Sequence, residues 1–158
     1  MIRMLLSCGL FVFVLGVVAP PARAQGGVRT GPDPSVLRDA DLEKDSLHNL
    51  EVARHYFKLK KAYVAALKRC EEIDAGNPNF TRMDEVLFIA GESSLRLADS
   101  KGKQMFKGKT PEELRVDARV YLSRIVNDYP NSSFRKQAEQ DLLVLGGPLA
   151  KPADGPPK

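Results

Sequence analysis

The chain has 158 residues and a formal charge of +4, from 24 Lys and Arg against 20 Asp and Glu, with two histidines and two cysteines. That length suits one small domain, and two cysteines are too few for a disulfide-built scaffold. The charge surplus is too small to mark a nucleic-acid binder, so no nucleic-acid partner is expected.

Residues 1–24 read as a secretory signal peptide. Arg3 supplies the positive start, residues 5–18 are apolar apart from Ser7, Gly9 and Gly16, and Ala22-Arg23-Ala24 forms a small-x-small cleavage site before Gln25. An apolar run of this length is too short to span a bilayer, so export to the periplasm is expected. Leu5-Leu6-Ser7-Cys8 resembles a lipid-attachment sequence, but cleavage before Cys8 would leave almost no apolar run, and Cys8 is read as removed. Loss of Arg3 and Arg23 lowers the charge from +4 to +2. Cys70 is then the only cysteine, so packing rather than a disulfide must stabilise the domain.

Residues 25–44, opening with QGGVRTGPDP, read as a flexible leader. Helical periodicity then predicts five helices and no strands. Leu50, Ala53 and Phe57 share a face of the first, 47–59. Tyr63, Ala66, Leu67, Cys70 and Ile73 form the stripe of the second, 61–75, which stops at Gly76-Asn77-Pro78. The third, 83–98, carries Leu87, Ala90, Gly91, Ser94 and Leu95, with Thr81 as its expected N-cap. Thr110-Pro111-Glu112-Glu113 announces a fourth helix ending near Asp128, with Leu114, Ala118, Leu122 and Ile125 inside. A fifth, 132–145, places Ala138, Leu142 and Leu145 together before Gly146-Gly147. Residues 146–158, rich in Pro and Gly, read as a disordered tail.

Two helix ends share one grammar. In RCEEIDAGNPNF and LSRIVNDYPNSSF, Cys70, Ile73 and Pro78 correspond to Leu122, Ile125 and Pro130, and Ala66 and Ala118 each lie twelve residues before the proline. Small residues at fixed points let helices approach closely, and the proline ends each pair. The pattern matches a tetratricopeptide unit, so the expected fold is all-α: about two and a half tetratricopeptide-like hairpins at 45–145 in a short right-handed solenoid. The second unit carries a lysine-rich insert between its helices.

LEVARHYFKLKKAYVAALKRCEEIDAGNP, EVLFIAGESSLRLA and ARVYLSRIVNDYPNSSFRKQAEQDL together resemble the tetratricopeptide domain of the BamD family, lipoproteins of the bacterial outer-membrane β-barrel assembly machinery. The periplasmic tetratricopeptide protein of the Tol-Pal system is similar at the same junction. The resemblance implies a periplasmic adaptor, associated with outer-membrane or envelope assembly, that binds a protein or peptide. It also implies a groove lined by the first helix of each pair: His48, Glu51, His55 and Lys58, then Glu85, Phe88, Glu92, Leu95 and Arg96. Phe88 would be the apolar anchor and the charges a selective rim.

His48, Glu51 and His55 share a helix face, but seven residues separate the histidines by about 10.5 Å along the axis. Two imidazoles on one zinc need closer spacing, so no metal and no cofactor are expected. Cys70 sits at a packing position and is expected to be inert. No serine elbow or phosphate loop is present, and no enzyme is expected. Lys101, Lys103, Lys107 and Lys109 surround Met105 and Phe106, a cationic loop with an apolar tip that suits peripheral contact with an anionic membrane surface. The alternative to an adaptor is a small structural subunit whose apolar faces are completed by copies of itself or by a larger envelope complex.

Overall fold

The computed structural model describes residues 34–104 and 106–151, and among them the fold is entirely helical. The expected signal peptide, the first part of the leader, Met105 and residues 152–158 lie outside them. Helix α1 spans Pro34–Arg54 and continues into a π-helical turn, His55–Lys60. Helices α2, Tyr63–Gly76, α3, Met83–Ala98, α4, Pro111–Asp128, and α5, Arg135–Val144, follow. None of the described helices is long and apolar enough to cross a membrane.

The first helix begins well before its expected start, so residues 34–44 are helical rather than leader. Polar residues in its middle make tertiary bonds, which helical periodicity alone does not register. The Glu43 carboxylate accepts hydrogen bonds from the Asn77 amide at 3.3 Å, the Thr81 backbone N–H at 3.4 Å and the Thr81 hydroxyl. Ser46, buried, accepts from Asn77 at 3.2 Å and donates to the Leu42 carbonyl at 2.7 Å. Thr81 is therefore engaged with α1, and Arg82 is the N-cap of α3 without a side-chain bond. At α4 the expected capping box is present: Thr110 Oγ1 accepts from the Glu113 N–H, and the Glu113 carboxylate accepts from the Thr110 N–H at 2.7 Å.

Helix α3 organises the core. It packs against α2 and α4 and touches α1, and Met83, Val86, Leu87, Ile89 and Ala90 on it are buried. Gly91 marks the closest approach: a Cβ there would lie 2.8 Å from both Leu122 Cγ and Cδ2 on α4. The paired positions read from the sequence are buried in both helical pairs, Leu50 and Ala53 with Leu87 and Ala90, and Ala66, Cys70 and Ile73 with Ala118, Leu122 and Ile125.

The junction also repeats in its hydrogen bonds. Asn77 N–H donates to the Ile73 carbonyl at 2.8 Å, Phe80 to Asn77 at 3.0 Å and Met83 to Phe80 at 3.1 Å. Tyr129 donates to Ile125 at 3.0 Å, Ser132 to Tyr129 at 3.0 Å and Arg135 to Ser132 at 3.2 Å. Each member of the second set stands 52 residues after its counterpart. Because this turn occupies 132–134, α5 starts at Arg135 rather than at Ser132.

Two forked ion pairs tie equivalent helices together. Arg54 on α1 meets both oxygens of Glu85 on α3 at 2.6 Å, and Arg124 on α4 meets Asp74 on α2 at 2.7 and 2.8 Å. The guanidinium of Arg54 holds the Glu85 carboxyl below its usual range against the opposing effect of burial. That stabilisation is present above the ordinary Glu range and is lost as pH falls through the lowered folded value.

Replacing Gly91 by Leu should cost about 1–3 kcal/mol by overpacking against Leu122. An unchanged melting temperature would contradict this contact. Arg54→Ala leaves Glu85, nearly buried, with only the longer Arg82 contact at 3.4 Å and should cost about 1–3 kcal/mol near neutral pH. The deficit relative to the parent should shrink in acid, where Glu85 is protonated in both; a pH-independent deficit would show that the ion pair is not its source.

Candidate functional site

The π-helical turn determines where the site lies. It delivers the chain to Lys61, whose φ of 51° is in the left-handed region, and so aims Phe57 and Tyr63 at α3. Gly102, φ +102°, lies against the same corner, where a Cβ would be 2.7 Å from Tyr63 Cδ2 and 2.9 Å from the Lys61 carbonyl oxygen. The Lys103 N–H donates to that carbonyl at 3.4 Å, so the segment after α3 is anchored to the α1–α2 corner.

Between this corner, α3 and α5 is an open cleft of about 520 Å³. Phe57, Phe88, Leu95 and Arg96 line it, with Glu92, Gln137 and Asp141 at its polar side. The Arg96 guanidinium carbon stands 5.2 Å from the Phe57 ring centre and 5.5 Å from that of Tyr63. Its Nε and Nη2 donate to Glu92 Oε2 at 3.1 and 2.7 Å. Phe88 stacks on Phe134 with ring centres 4.7 Å apart. The cleft thus combines a flat apolar wall with a positioned cation whose negative partner is on the same helix.

Asp141 is the strained member. Gln137 donates to its Oδ1 at 3.1 Å, while its Oδ2 is buried and has no donor. Burial first, and then the hydrogen bond and negative charge of Glu92, push the Asp141 carboxyl up to about 6, against the lowering influence of Gln137 and Arg96. A neutral Asp141 carboxyl is favoured there, beside the Glu92 charge and with a buried oxygen that no donor reaches.

Among the residues expected to form the groove, the structure brings Phe88, Glu92, Leu95 and Arg96 together. His48, Glu51, His55 and Lys58 are exposed and do not line the cleft. Glu85 faces Arg54 instead of presenting a charge to a partner. Phe57, assigned to a core stripe in the sequence, lines the cleft, while Tyr63 stays buried behind it, edge to face at 5.7 Å. Gln137 and Asp141 were not expected, although a signal existed: Asp141 adjoins Leu142 and lies three residues after Ala138, a carboxylate beside the apolar stripe of α5.

The lysine-rich insert differs from a cationic loop with an apolar tip. Phe106 is half-buried and packed against the core. Lys101 pairs with Asp99 at 3.1 Å, Lys109 pairs with Asp117, and Lys103 and Lys107 are exposed. Cys70 is buried, and burial pushes its thiol well above the usual range, which removes the thiolate a nucleophile needs. Among the described residues, no group of three or more His, Cys, Asp and Glu side chains is placed to hold a metal ion.

No protein-family model, no curated protein and no solved structure matches this chain.

Because the folded Asp141 carboxyl titrates above the ordinary Asp range, it keeps a proton that the unfolded chain has already lost. Its ionisation therefore lowers stability as pH rises from about 4 to about 6. Asp141→Asn retains a donor toward Glu92 without the charge and should gain about 1 kcal/mol near neutral pH, a figure reduced for screening at the open cleft. At about pH 3, below both the unfolded and the folded values, the gain should nearly vanish. Melting curves at both values check this; equal shifts would contradict the raised Asp141 carboxyl.

Proposed function

We propose that the chain is a noncatalytic adaptor of the bacterial periplasm that holds a segment of a protein partner in the cleft. The carrying observation is the convergence of Phe57, Phe88 and Leu95 beside the Arg96–Glu92 pair in one open depression. Such a surface offers an apolar anchor site at its centre and charges that select register at its edge. The helical pairs are proposed as tetratricopeptide-like units of a short right-handed solenoid. The 52-residue offset of the junction and the equivalent buried positions support that reading. Export rests on the signal peptide read at 1–24, and a role in envelope or outer-membrane assembly rests on the resemblance to BamD. Neither reading requires a cofactor.

A second reading has its own observation. Leu143 and Val144 at the end of α5 are 78% and 89% exposed, an apolar pair suited to a subunit completed by another copy. A melting temperature that rises with protein concentration would favour the subunit.

The adaptor is tested by affinity capture from envelope extract, comparing the unaltered protein with Phe88→Ala plus Arg96→Glu, and with His48→Ala plus Glu51→Ala. The cleft variant should lose a specific envelope protein that the α1 variant retains. Identical partner sets for all three, or capture of this chain alone, would contradict a functional cleft.

A further inference from the structure

The cleft is open, whereas the outer face of α4 is taken by the chain's own residues 146–149, expected as disordered tail but bonded there by Arg119, Ser123 and Asn127. Five charged side chains line the cleft: Glu92, Asp99 and Asp141 against Arg96 and Lys101. Their pairing is uneven. Asp99 has two cations, Lys101 at 3.1 Å and Arg115 at 3.3 Å, and Glu92 has Arg96 at 2.7 Å. Asp141 has no cation within ion-pair distance among the described residues. Only the Gln137 amide reaches it, at Oδ1, and its Oδ2 is without a donor.

The fold makes no use of that charge. Ala138 and Leu142 form the buried stripe of α5, and Asp141 stands beside them against the like charge of Glu92. Arg96 also faces Asp141, but its Nε and Nη2 are turned to Glu92. An acidic side chain that destabilises the empty protein and lines an open depression suits an opposite charge brought by a ligand. Other ligand chemistries fit worse. An acidic segment would meet Glu92 and Asp141 while Arg96 is already engaged. A purely apolar one would cover Phe57, Phe88 and Leu95 but withdraw Asp141 further from water with nothing in exchange. A cation supplies the missing donor, and the terminal torsion of an aspartate is soft enough to turn Oδ2 toward it.

We propose that the segment held in the cleft carries a lysine or arginine beside its bulky apolar residue, and that this cation pairs with Asp141 while the apolar side chain rests on Phe57, Phe88 and Leu95. The assignment rests on the cleft being a partner site and adds the chemistry that it selects. Cation and proton compete for one carboxyl. Burial and Glu92 push that carboxyl up to about 6 against Gln137 and Arg96, so binding releases its proton to solvent and weakens in acid.

The test passes a soluble library of random acetylated, amidated peptides over the full chain, over Phe88→Ala and over Asp141→Asn, and identifies the retained peptides by mass spectrometry. Peptides held by the unaltered chain and lost with Phe88→Ala should combine a bulky apolar residue with lysine or arginine. Asp141→Asn should keep the apolar preference and lose the basic one. The strongest peptide should bind about tenfold more weakly at about pH 5 than at about pH 7, since only about a tenth of Asp141 is ionised at the lower value, and Asp141→Asn should remove that dependence. A basic preference that survives in Asp141→Asn, or an affinity equal at the two pH values, would overturn the proposal. Peptides lost with Phe88→Ala that show no basic preference would overturn it too, while leaving the cleft a partner site. Retention indifferent to Phe88→Ala, or no retained peptide at all, would overturn the partner site and the proposal together.

Discussion

The close approach of Gly91 to Leu122 is the constraint on which the architecture depends. A side chain at that position would push α4 away from α3, and α5 is carried on α4 through the Tyr129–Arg135 turn. The cleft has one wall on α3 and another on α5, so its width follows from that single contact. Interiors pack at crystal-like density and transmit such displacements rather than absorbing them. Hydrophobic contact determines the spacing between helices, and the Arg54–Glu85 and Arg124–Asp74 forks fix their register, since planar bidentate pairs tolerate little sliding.

Helix positions and the core were largely legible because they are governed by local rules. Apolar spacing located α2, α3 and α4, and Thr110-Pro111-Glu112-Glu113 located the start of α4 with its capping box. What was missed depends on tertiary partners. Pro34 to Lys44 was joined to the Gly- and Pro-rich leader before it, and the bonds that tie α1 down, from Glu43 and Ser46 to Asn77 and Thr81, are made more than thirty residues away. The start of the tail was illegible for the same reason: Gly146 and Gly147 signal only the end of α5, while Arg119, Ser123 and Asn127, which bond backbone groups of 146–149, resemble ordinary solvated residues on α4.

The candidate site shows the same division. Phe88, Glu92, Leu95 and Arg96, which the resemblance placed together on α3, lie along one cleft. On α1 the contribution is different: Phe57, inside the π-helical turn, lines the cleft, whereas His48 and Glu51 before the turn and His55 at its start are exposed and do not. A π-turn leaves no reliable mark on hydrophobic periodicity, so the place of Phe57 at the cleft was not legible in the sequence. Asp141 adds a property that no list of groove residues contains, namely a carboxyl that links the charge of the cleft to the contact between α3 and α5.

The central claim, that the cleft holds a partner, is tested most directly by photocrosslinking in living cells from a benzophenone side chain at position 95, with position 48 as control. The account predicts a crosslinked product, containing one other envelope protein, from position 95 and none from position 48. Crosslinks from position 48 alone, or products from position 95 that contain only a second copy of this chain, would contradict it.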